Sequence, residues 1–150
     1  MPWPFPMESV HPLIVHFPIA LLLTATTLDL IAVLMKRPNL HRIALWNLGL
    51  GMLGAAAAVA SGLRAQAVAK HSFEIWEVME VHERLGITTL ILAIMVLSWR
   101  VKHRDQLTRR ARLLTLGVML VMCTTVSVGG YLGGRLVYEF GVGGRFGQTP

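Results

Sequence analysis

Four long apolar stretches, at about residues 12–35, 44–63, 80–99 and 113–134, limit what this chain can fold into more than any other feature. Roughly 20 apolar residues in a helix cross the hydrocarbon core of a bilayer, and inside that core every backbone group needs an internal partner. The pattern predicts an all-α integral membrane protein, a single four-span domain over residues 1–150. The connections "MKRPNLHR" (35–42) and "VKHRDQLTRRAR" (101–112) are short, so sequential spans should pack antiparallel in a bundle. Composition agrees: 15% of residues are charged, against about 25% in an ordinary soluble domain. The first stretch has no Lys or Arg before it and no small-x-small exit, and reads as a retained span rather than a cleaved signal. The single cysteine, Cys123, allows no intrachain disulfide.

Basic residues collect on cytoplasmic loops of membrane proteins. Lys36, Arg37, Arg42, Arg100, Lys102, Arg104, Arg109, Arg110 and Arg112 flank the two short connections, while Arg64, Lys70, Arg84, Arg135 and Arg145 lie at the other end. This asymmetry predicts that both termini lie on the outer side, and it accounts for the net charge of +6 without nucleic acid. The connection between spans two and three is richer. In "SFEIWEVMEVHE" (72–83), Ser72 can cap a helix whose face carries Glu74, Glu77, Glu80 and Glu83, opposite Phe73, Trp76 and Met79. The segment is either an amphipathic helix at the outer interface or an extension of span three.

Ionisable residues within spans need a partner or a purpose. Asp29 and Asn47 lie near the cytoplasmic boundary and are expected to form a polar pair between spans one and two. His41 and His103 fall in basic loops and are expected to be solvated. The other four histidines, His11, His16, His71 and His82, fall on the outer side. His16 is twenty residues before Lys36 and His82 eighteen before Arg100, which places the two imidazoles at nearly one depth, with His11 about 7 Å further out. Pro12 suits a first helical turn, leaving His11 just outside the helix, whereas Pro18 frees the Ile14 carbonyl and should kink or restart the helix.

Three purposes fit two level imidazoles. They could be the axial ligands of a haem, they could bind a bare metal ion with His11 or His71 and a carboxylate such as Glu80 or Glu83, or they could only hydrogen-bond the backbone. Small residues leave room for a flat ligand: Gly86 one turn below His82, the Gly54, Ala58, Gly62 stripe, and "GGYLGG" (129–134). With no Cys-x-x-Cys-His, any haem would be b-type. Arg84 and Arg135 could then pair with its propionates.

"HPLIVHFPIALL" at the first span, the small-residue second span, the His opening the third, and "GGYLGGRLVYEFGVG" (129–143) together resemble a family of small bacterial four-helix membrane proteins, domain of unknown function 2231. The matching residues are His11, Pro12, His16, Pro18 and His82, with Gly133, Gly134, Tyr138, Gly141 and Gly143. "VHERLG" carries more charge than its counterparts. Members occur beside cytochrome-type and iron–sulfur domains, so the resemblance implies a redox setting in the bacterial inner membrane. The expected function is electron transfer through haem b ligated by His16 and His82 near the outer face, with other redox subunits or a periplasmic carrier as partners. Two alternatives remain open. One is a non-catalytic subunit of a larger respiratory or photosynthetic complex, or a homo-oligomer, with its glycine stripes as interfaces; the other is an outer-side metal-binding protein. No Ser, His and acid group converge as a hydrolase would require, and an electron carrier is expected rather than a stand-alone enzyme.

Overall fold

A computed structural model describes residues 10–68 and 72–142. Four helices, α1 (Val10–Leu34), α2 (Pro38–Val68), α3 (Phe73–Lys102) and α4 (Arg109–Tyr138), run up and down around one core. All four are long and apolar enough to cross a membrane. Their lengths of 25 to 31 residues correspond to about 37–46 Å, beyond the roughly 30 Å of hydrocarbon, so several helix ends project past it. The bundle is apolar outside as well as inside. Leu13, Leu53, Ile91 and Leu114 are exposed on its surface, where lipid is the solvent. In lipid, helix association rests on close packing and buried polar contacts.

α1 lies closest against α2, and α3 against α4, with thinner seams between α2 and α3 and between α1 and α4. Glycines permit the first approach. A Cβ at Gly51 would stand 2.8 Å from a Leu22 methyl, and one at Gly54 would stand 2.9 Å from Phe17 and 3.2 Å from Pro18. α2 therefore closes over the proline, and α1 continues through Pro18 as one helix rather than restarting there. Likewise, residues 73–83 are the first turns of α3, not a separate interfacial helix. Ser72 sits at its N-cap, but its side chain makes no capping bond.

The end carrying the two short turns is tied together by charge. The Asp29 carboxylate, fully buried, accepts a 2.7 Å bond from His41 Nδ1. Its other oxygen lies 3.4 Å from Arg100 Nη1, an ion pair in which neither atom has hydrogen-bond geometry. Arg100, also fully buried, grips Asp105 through Nε and Nη2 at 2.9 and 3.0 Å and donates to the His41 carbonyl at 2.7 Å. Arg112 donates to the Asp105 carbonyl. Two expectations are corrected here. Asn47 does not pair with Asp29 but donates to the Ile43 carbonyl of its own helix. His41 is not a solvated loop residue, because the buried carboxylate needs a donor and α2 begins early enough, at Pro38, to supply it. His103 is exposed as expected, its ring 4.2 Å from that of Trp99.

The two helical hairpins repeat one another. His11 and His82, Asp29 and Arg100, His41 and Arg112, Gly62 and Gly133, Arg64 and Arg135 are each 71 positions apart. So are the first residues of α2 and α4, Pro38 and Arg109. Burial follows the same shift: Leu22 with Ala93, Ala25 with Val96, and Leu48 with Met119 are buried pairs. Helices α1 and α3 run the same way, so a pseudo-two-fold axis along the bundle relates the hairpins. Residues that meet their own counterparts mark that axis. Asp29 with Arg100 marks it at the turn end.

Candidate functional site

At the opposite end the axis passes between His11 and His82. Their ring centres are 6.0 Å apart, with planes at 81°. Each ring lies on a glycine of its partner helix. A Cβ at Gly62 would come 3.0 Å from His11 Cε1, and one at Gly133 would come 2.9 Å from His82 Cε1. Each is also held at Nδ1. His82 donates to the Gly129 carbonyl at 2.8 Å. His11 Nδ1 lies 3.0 Å from Ser61 Oγ. That hydroxyl gives its proton to the Ala58 carbonyl at 2.9 Å, so His11 is the donor. Each ring thus carries a proton on Nδ1 and, when neutral, keeps a lone pair on Nε2, which has no hydrogen-bond partner among the described residues. Fixing one ring nitrogen by a hydrogen bond so that the other can bind is how proteins orient ligating histidines.

The pair borders an apolar cavity of about 480 Å³ walled by all four helices, within the 300–1,000 Å³ span of small-molecule and cofactor sites. His16, Gln66, Glu83, Thr89, Thr125 and Tyr138 are the other polar side chains on its lining. Thr89 and Thr125 bond each other at 2.9 Å and join α3 to α4. Gly86, Gly130 and Gly134 leave its walls open. A Cβ at Gly134 would meet nothing within 4 Å, and one at Gly86 only Val59, at 3.9 Å.

The expected site residues fall into distinct places. His82 and Gly86 border the cavity. His16 also lines it but is exposed, its Nδ1 donating to the Pro12 carbonyl of its own helix at 2.7 Å. The ring that lies across from His82 is that of His11, in the first turn of α1 rather than outside the helix. The difference arises from the depth reference. Lys36 lies beyond the end of α1, whereas Arg100 lies inside α3 at the level of Asp29. Counted from that pair, His11 and His82 are each eighteen residues away, about 27 Å along their helices. Arg84 and Arg135 do not line the cavity. They pair with Glu80 and Glu139, one turn away on their own helices. His71 and Gly143 lie outside the described residues. Ser61, which anchors His11, gave no signal in the sequence; the 71-residue repeat would have drawn attention to its neighbour Gly62.

The family described as "Predicted membrane protein (DUF2231)" matches residues 7–145. No curated protein and no solved structure matches the chain significantly.

Proposed function

The chain belongs to the DUF2231 family of membrane proteins, and from that footing we propose that it carries electrons through a b-type haem held between His11 and His82. The observation that carries this reading is the His11–His82 pair itself, two anchored imidazoles facing across a pseudo-two-fold axis at 6.0 Å. The 6.0 Å separation of the ring centres leaves room for one iron held by both rings through bonds of about 2 Å. His11 takes the place expected for His16, and His16 remains a neighbour on the cavity wall. The residues do the positioning: the Gly129 carbonyl and Ser61 hydroxyl fix the two rings, the glycines leave space for a flat macrocycle, and the apolar walls exclude water. A haem held there by His11 and His82 would supply one-electron chemistry.

Orientation and setting belong to the same proposal. Lys36, Arg37, Arg42, Lys102, Arg104, Arg109 and Arg110 are exposed at the turn end, which favours a cytoplasmic position for that end and an outer position for the histidines in a bacterial inner membrane. The partners would then be membrane redox subunits or a periplasmic electron carrier. An absorption spectrum of detergent-purified protein, oxidised and then reduced, tests the reading. A Soret band with reducible α and β bands is expected. His11→Ala and His82→Ala should weaken or abolish it, and His16→Ala should leave it in place. A folded, colourless protein from haem-replete cells would overturn the assignment, whether or not it retained a metal ion.

A further inference from the structure

The pseudo-two-fold axis makes the surroundings of the two histidines directly comparable, and they differ at one point. The repeat sets Ala58 against Gly129 and Gly62 against Gly133. His11 rests on Gly62 and His82 on its counterpart Gly133. His82 Nδ1 donates straight to the carbonyl of Gly129. The equivalent acceptor for His11 is the carbonyl of Ala58, but here Ser61 Oγ takes the short bond, accepting from His11 Nδ1 at 3.0 Å and donating to that carbonyl at 2.9 Å, and the carbonyl itself is left a weaker partner of the ring. The position corresponding to Ser61 in the second hairpin is Leu132, which has no hydroxyl to insert.

This difference has a chemical consequence. A peptide carbonyl is a stronger acceptor than a serine hydroxyl. It draws the Nδ1 proton further and makes the opposite nitrogen a more electron-rich donor, and such outer partners tune a bound metal. The hydroxyl transmits only part of that pull. The relay therefore leaves His11 the weaker donor of the two and His82 the stronger.

We infer that Ser61 is a positioning residue that makes His11 a weaker donor than His82 toward the haem they would hold, so that its reduction potential would be higher than two carbonyl-anchored histidines would give. The inference rests on the haem reading above. Ser61→Ala removes the relay and leaves the Ala58 carbonyl as the acceptor, as in the other half. Ser61→Thr keeps a hydroxyl.

The test is a potentiometric titration of wild-type, S61A and S61T full-length protein in detergent, followed by visible absorption, with thermal melting as the check on folding. S61A should shift the midpoint to more negative potential, and S61T should stay near wild type. Loss of haem from folded S61A would overturn the inference, because anchoring by the carbonyl should make His11 the stronger donor. If wild type binds haem and S61A titrates at the same potential, this inference fails while the haem reading stands. If wild type binds no haem, it is the underlying reading that fails. A purely structural serine would alter melting in S61A without moving the potential, and that result also overturns the inference.

Discussion

Gly133 and Gly134 are adjacent on α4, yet a methyl group would have opposite consequences at the two. At Gly133 it would strike the His82 ring, and at Gly134 it would enter open cavity. Gly133→Ala should destabilise the protein by about 1–3 kcal/mol, the usual cost of overpacking, and perturb any spectrum due to His82. Gly134→Ala should stay within about 0.5 kcal/mol of wild type. Melting in detergent measures both. Asp29 offers a second contrast. Asp29→Leu leaves Arg100 and His41 facing an apolar group, at about 3 kcal/mol for a broken buried pair in which Arg100 still holds Asp105. Asp29→Asn keeps an acceptor for His41 and should cost less, again by melting. At this scale the sequence was only partly legible. The residue types flagged His11, His82 and Asp29, but pairing them required knowing which positions share a level. Lys36, being outside its helix, is a poor ruler. The buried role of His41 was hidden because a histidine among arginines resembles a solvated loop.

The helices themselves were the most readable feature, since long apolar runs have few alternatives in lipid. Their ends were less so, because projecting turns are polar and resemble connections: α2 and α3 each extend well past the apolar runs that announced them. Caps illustrate how local chemistry can mislead. Ser72 and Thr108 both occupy N-cap positions, but only Thr108 accepts a bond, from the Ala111 amide at 3.3 Å. Thr108→Ala should therefore cost about 1 kcal/mol, a typical loss for a working cap, whereas Ser72→Ala should change stability by no more than about 0.5 kcal/mol. Denaturation in mixed micelles, with amide exchange at the start of α4 as the local probe, distinguishes them.

For the molecule as a whole, the proposed orientation makes a simple prediction. In a Cys123→Ser background, Ser72→Cys should react with a membrane-impermeant maleimide in intact cells, and Gln106→Cys only after permeabilisation; the reverse pattern would invert the topology. The 71-residue repeat was present in the sequence but faint, because lipid-facing positions exchange one apolar residue for another and only the axial and packing positions keep their character. That repeat gives the charged pair at the turn end a meaning beyond stability. Two identical hairpins associating as a homodimer could reproduce the histidine pair, since a dyad sets like against like. They could not reproduce Asp29 against Arg100, since the same dyad would set aspartate against aspartate. The pair thus selects for two unlike halves and against self-association of either one: it acts as a specificity lock that only two different hairpins can close.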